Sequence, residues 1–318
     1  MMAVTRRALL ASAPAIVLGA VSAPAQQMKI TLGTAMEGGS VAAYGAAFIS
    51  ALRSVDPTFE IRPVTTKGIL ENVSMLDSGE LDIGLVFGEV AHEFFMGIGR
   101  PVTKLKVISV MYSTPGMLVV RSDSRYRRIG DLVGRPVVWN GASSGLAVQA
   151  RYVMDGLGLD IDSDFQAIYT DSLAEGPPMV IDGRAAALWG AGNRWPGFVK
   201  VAGNPRGARF VVPTASEIAR IHAKHGFLTR LTVPGGLYPG QHDPIDTVGS
   251  WSFILARADL DDPVGHRLAA SLYKIERAST LSRPLAETTV KNTLAAISGP
   301  EMLQPGVARF YKEAELLK

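Results

Sequence analysis

The stretch MKITLGTAMEGGSVAAYGAAFISALRSVDPTFEIRPV, residues 28–64, decides the fold. Met28 to Gly33 is a short apolar run bounded by a glycine, which predicts a strand. Ser40 to Arg53 then sets alanines, Phe48, Ile49 and Leu52 on one helical face. Phe59 to Val64 alternates apolar and polar residues and reads as a second strand. Strand, small-residue turn, helix and strand in that order imply a parallel pair with a crossover helix.

The rhythm continues along the chain. Leu70 to Ser78 reads as a helix stopped by Gly79, and Leu81 to Val86 as a third strand. Beyond residue 115, strands are expected at Met117–Val120, Pro136–Trp139, Phe165–Tyr169 and Ala185–Trp189. Helices are expected at Leu146–Leu157 and around Ala174–Ile181. A late strand at Thr247–Ala256 precedes helical sequence at Pro263–Ser279 and Pro305–Leu316. The expectation is an α/β protein of two lobes, with parallel sheets covered by helices on both faces. The chain should cross between lobes near Ser113–Gly116 and again near Gly235–Asp246. Residues 26–114 and 241–318 then form lobe I, and 115–240 form lobe II.

The first residues read differently. Met1 to Arg7 is short and basic, Ala8 to Val21 is apolar, and Ala23-Pro24-Ala25 offers small residues to a signal peptidase. This is the three-part pattern of an export signal over 1–25, with periplasmic localisation. Thr5-Arg6-Arg7-Ala8-Leu9-Leu10 fits a twin-arginine signal with Leu in place of Phe, or an ordinary Sec signal. Cleavage before Gln26 takes the 32 Lys and Arg to 30, against 29 Asp and Glu. A near-neutral mature chain gives no electrostatic footprint for nucleic acid. The chain has no Cys, so disulfides and thiol catalysis are excluded.

In open α/β sheets ligands bind outside the carboxyl ends of the strands, so the strand-to-helix turns are the places to search. At Gly33–Ser40, Gly38 and Gly39 let backbone approach a ligand, and Ser40 opens a helix whose free N–H groups favour an anion. A plain capped turn has the same sequence. The second turn brings Glu71 and Asn72, and the third Phe87 and Glu89. The fourth, Asn140 to Gly145, supplies the hydroxyls of Ser143 and Ser144. The fifth, Trp189 to Pro196, places Asn193 and Arg194 between two tryptophans. Arg194 is a bidentate partner for a carboxylate or a solvated loop charge, and the tryptophans are an aromatic wall or packing.

Two enzyme readings start from the same residues. Gly141-Ala142-Ser143-Ser144-Gly145 fits the G-x-S-x-G elbow of serine hydrolases, with His222, His225, His242 and His266 downstream. No oxyanion segment of the HGGG type precedes it. His92-Glu93 lacks the second His of H-E-x-x-H, because position 96 is Met. No enzyme activity, metal or cofactor is expected.

These turns resemble those of the TAXI-type solute-binding proteins of tripartite ATP-independent periplasmic (TRAP) transporters. Gly33 to Gly45, GTAMEGGSVAAYG, matches the family's GTGGTGGTYYPLG in length and keeps glycines at 33, 38, 39 and 45. Gly68 to Leu85, GILENVSMLDSGELDIGL, resembles GSVENLRLLxSGEADLGF, and Leu105 to Ser124 resembles the family's middle strand pair. Leu132 to Val137 with Ala142 to Gly145, then Asp182-Gly183-Arg184, Thr247 to Trp251, and Pro305 to Glu313 follow the family's order to the end of the chain. The resemblance implies a type II periplasmic-binding fold whose lobes close on a small organic acid, a monomer, and delivery to a TRAP membrane permease. An ABC-importer receptor has the same fold and is the alternative; a periplasmic sensor is a third reading. Val41-Ala42 replaces the family's aromatic pair, Phe87 a polar residue, Leu146 a Thr and Ile69 a Ser. Each change removes a polar group, which points to a carboxylate with a larger, less polar body than glutamate.

Overall fold

The computed structural model describes residues 27–35, 40–99, 101–142, 144–278 and 282–317. The segment expected to be an export signal, residues 1–25, therefore lies outside the described residues, as do Gly38, Gly39 and Ser143. Strand β1 (Met28–Gly33) is followed by α1 (Ser40–Val55), β2 (Phe59–Val64), α2 (Ile69–Asp77), β3 (Ile83–Val86) and α3 (Gly88–Met96). The long strand β4 (Lys106–Arg121) leads to β5 (Pro136–Asn140), α4 (Gly145–Leu157), β6 (Gln166–Tyr169), α5 (Gly176–Asp182) and β7 (Ala187–Ala191). Then come α6 (Pro196–Ala202), β8 (Ala208–Val211), α7 (Ala215–Lys224), β9 (Thr229–Val233) and the second long strand β10 (Ile245–Ala256). Helices α8 (Asp262–Arg277), α9 (Val290–Ala296) and α10 (Pro305–Glu313) close the chain.

The opening stretch forms the expected unit. β1 pairs parallel with β2, Met28 opposite Phe59 through Gly33 opposite Val64. α1 buries Val41, Tyr44, Phe48, Ile49 and Leu52, the one-stripe pattern of a helix on a sheet. Asp56-Pro57 ends it, since the residue before proline is pushed out of helical geometry. Asp82 ties neighbouring strands together: it accepts the Thr31 N–H at 2.8 Å and the Arg257 guanidinium at 3.0 Å.

The sheet runs β2-β1-β3-β10-β4-β7-β5-β6, with β8 on β4 and β9 on β10. It is mixed, not purely parallel as the rhythm suggested. β10 runs antiparallel to β3 and β4, and β4 antiparallel to β7 and β8. The segment expected as a strand pair, Leu105 to Ser124, contains one strand, β4.

The core falls into parts along this sheet. One cluster joins Leu32, Phe48 and Leu85 to Val107, Phe253, Leu268 and Tyr311. Two others, on either face of the second half, centre on Trp139 with Trp189 and on Met117 with Phe198. The paired strands β4 and β10 run through both halves. At the crossing of β4, a Cβ on Gly116 would lie 2.5 Å from the Trp189 ring, so no side chain fits there. The return crossing lies later than the Gly235–Asp246 turn: Val248 packs in the second half and Phe253 in the first. The cause is the antiparallel pairing of β9 with the first half of β10, Val233 opposite Ile245, which holds that segment on the second half.

Candidate functional site

The carboxyl ends of the parallel strands meet at one cavity of about 930 Å³ between the two halves. From the first half, the residues after β1, β2 and β3 contribute Ala35, Ser40, Lys67 to Glu71, Phe87, Glu89 and Val90. From the second, the ends of β5, β6 and β7 contribute Gly141, Ser144 to Leu146, Thr170 to Ala174, and Ala191. Tyr112 and Thr114 of β4 form part of the wall between them.

Helix starts define its polar ends. α1 begins at Ser40, on the cavity. Ser144 caps α4: its Oγ accepts the Ala147 N–H at 3.2 Å, which leaves the hydroxyl hydrogen free to donate. Both starts carry the positive end of a helix dipole, which favours an anion.

Phe87 and α4 touch across the cavity. A Cβ on Gly145 would come within 2.4 Å of Phe87 Cδ2. Glycine at the first position of α4 therefore permits this close approach of the two halves. Beyond the cavity the same approach seats α3 on the second half. His92 stacks on Phe227 with centroids 4.0 Å apart, and Tyr152 donates to Glu93 at 3.3 Å.

Glu89 is the buried charge of the site, 1% exposed. Ser250 donates to its Oε2 at 2.5 Å, and Ser250 shares a 3.1 Å hydroxyl contact with Thr114. Burial pushes its carboxyl up to about 7; the Ser250 hydrogen bond and its own backbone N–H pull it down, and Glu93 adds to the rise. The Tyr112 hydroxyl is sealed from solvent and lacks a hydrogen bond of full geometry. Burial raises it to about 12, the Ser40 side chain partly offsetting this and Glu89 adding to it. The other charged groups on the lining are Lys67, Glu71 and Asp171, so carboxylates outnumber cations.

The residues singled out in the sequence divide sharply. Ser40, Glu71, Phe87, Glu89 and Ser144 line the cavity together. Asn72 lies behind it, fully buried: it donates to Thr34 O at 2.7 Å and Leu85 O at 2.9 Å and accepts from Thr66 at 2.7 Å. Its work is to fasten the ends of β1 and β3 to the second turn. Trp189 is not on the lining; it is fully buried beside Trp139, centroids 6.3 Å apart. Trp195, the other tryptophan of that turn, reaches the cavity instead. Asn193 and Arg194 are exposed and off the lining, Asn193 donating to Glu287 at 3.4 Å. Tyr112, Thr114 and Ser250 were not found from sequence. They sit inside long strands, where the search for turns does not look.

None of the five His residues lines the cavity. His222 contacts Leu228 O, His225 pairs with Asp155, and His266 with Glu313. Ser143, the nucleophile of the hydrolase reading, lies outside the described residues, and no His stands on the cavity beside its neighbour Ser144. Among the described residues no three His, Cys, Asp or Glu side chains gather as a metal site. No helix among them is long and apolar enough to cross a membrane.

The profile of the NMT1-like family matches residues 32–314. Among solved structures, the fold is similar to the periplasmic aliphatic sulphonate binding protein SsuA from Escherichia coli. That match has 18% identity over 89% of this chain and 82% of that one, with a TM-score of 0.53. A putative sulfonate ABC transporter periplasmic binding protein, SsuA from Methylobacillus flagellatus KT, matches at 12% identity over 92% and 96%, TM-score 0.55. A TctC solute binding protein from Polaromonas matches at 14% identity over 85% and 89%, TM-score 0.52. These are binding proteins, not enzymes, and the shared architecture is the two-lobed α/β fold with a curled sheet.

Proposed function

We propose, from the premise that this chain belongs to the NMT1-like family, that it is a periplasmic receptor which closes on a small organic acid and delivers it to a TRAP-type membrane permease. The observation that carries this is the cavity at the strand ends, bounded on both sides by helix starts and walled by apolar groups. Lobe I is taken as residues 26–114 and 241–318, and lobe II as 115–240, as the sequence divides them; the separate core clusters favour two lobes but carry the chain as far as Val248 with the second. The ligand's carboxylate is assigned to the starts of α1 and α4, with Ser40, Ser144 and Lys67 as donors. Its body lies against Phe87, Tyr112, Leu146 and Trp195. Glu71 and Asp171 repel a second carboxylate, so a monocarboxylate fits this wall better than a dicarboxylate without a cationic group. Gly38, Gly39 and Ser143 remain assigned to the ligand by sequence alone. The TRAP partner rests on the TAXI-like segments from Gly33 to Glu313.

An ABC importer is the second reading, favoured by the fold shared with the two sulphonate-binding proteins. Uptake by cells expressing the receptor with its neighbouring permease genes separates the two. Uptake that collapses with the ion gradient while ATP remains supports TRAP. Uptake that follows ATP and ignores the gradient refutes it.

A further inference from the structure

The far end of the same strands carries a second concavity. Pro136 at the start of β5, and Ala185 and Ala186 before β7, floor a groove of about 420 Å³ rimmed by Arg121, Arg125 and Arg135. The length of β5, about 13 Å, separates it from the solute cavity.

Its charge is lopsided. Arg121 pairs with Asp123 at 2.9 Å. Asp182, next to the groove's Gly183, is taken by Arg184 at 2.8 Å. Arg125 and Arg135 are exposed, and neither has an ion pair among the described residues. Two more guanidiniums close in at Ser124, which lines the groove: Arg127 and Arg209 both donate to its carbonyl, at 2.6 and 3.3 Å. Burial, and then the charge of Arg127, push the Arg209 guanidinium down. Asp131 offsets this only in part, since its hydrogen bonds go to the backbone N–H groups of Arg127 and Arg128.

Like charges held together oppose one another unless an anion lies between them, and guanidinium forks match the oxygen spacing of a phosphoryl group. We propose that this groove binds a phosphate, either free or as the headgroup of a lipid, at a site separate from the solute cavity. The headgroup source suits a receptor that must work at a membrane surface, where anionic lipid attracts clustered Lys and Arg.

The test compares the full chain with R125A/R135A, and with R309A as a control at a distant exposed arginine. Calorimetry with inorganic phosphate at matched ionic strength is expected to show binding by wild type and R309A, and at least tenfold weaker binding by R125A/R135A. Melting in chloride alone checks that the double variant is folded. A R125K/R135K variant, which keeps the charge without the fork, should bind with intermediate strength. Phosphatidylglycerol vesicles form the second arm: retention that phosphate competes away and R125A/R135A loses identifies the headgroup as source, whereas phosphate binding without retention identifies free phosphate. No phosphate binding by wild type, or equal binding by R125A/R135A, overturns the proposal.

Discussion

Replacing Glu89 by Gln should remove a pH dependence that the fold creates. The Glu89 carboxyl stands at about 7 in the folded chain against an ordinary 4.5. Between those values the folded state holds a proton that the unfolded state has released. Stability from this group is therefore complete below about 4.5, falls as pH rises, and is level again above about 7. Each unit of difference corresponds to about 1.4 kcal/mol, so the loss is on the order of 3 kcal/mol. Gln keeps the side-chain shape and an oxygen for the Ser250 hydroxyl, which donates at 2.5 Å, but never ionises. The stability of E89Q relative to wild type should therefore rise by about 2–3 kcal/mol between pH 5 and pH 8, part of the change lying below pH 5. Urea unfolding of both proteins at pH 5, 6, 7 and 8 measures it. Carboxylates held below their usual range, such as Asp56 beside Arg267, are common to both and cancel in the difference. Parallel stability curves for the two proteins would refute the reasoning, because they mean that burial does not perturb Glu89.

Other consequences follow from single contacts. A Cβ on Gly145 meets Phe87 at 2.4 Å, so G145V should weaken binding of an acid ligand at least tenfold, about 1.4 kcal/mol, with melting little changed; F87A/G145V should recover part of it, and a lack of recovery counts against the contact. Trp189 is fully buried, so W189A should cost about 3–5 kcal/mol in urea unfolding, far beyond any effect specific to ligand. N72A strips partners from the buried carbonyls of Thr34 and Leu85 and should cost about 2–3 kcal/mol, read by the same assay.

The turns were legible in the sequence because their chemistry is local. Ser40, Phe87, Glu89 and Ser144 lie within a few residues of a strand end, and strand ends gather at one place in an α/β sheet. The order of those strands was not legible, since antiparallel pairing of β4 with β10 joins residues far apart in the chain. Tyr112, Thr114 and Ser250 entered the site by that pairing alone. The exchange of roles between Trp189 and Trp195 has a similar cause. Trp189 belongs to β7 and points into packing against Gly116, a contact that no local pattern announces. Helix α7 has a local start signal too: Thr214 and Glu217 form a capping box. Ser40 opening α1 and Ser144 capping α4 are the same kind of signal, and there it led to the site.

The central claim is that this cavity takes an organic acid with an apolar body. Calorimetry of a panel of monocarboxylates with aliphatic and aromatic bodies, beside glutamate, against wild type and G145V tests it most directly. The account predicts that at least one apolar-bodied acid binds wild type more tightly than glutamate does, and that G145V loses that binding. Tight binding of glutamate with none of the apolar acids bound, or binding indifferent to G145V, would contradict it.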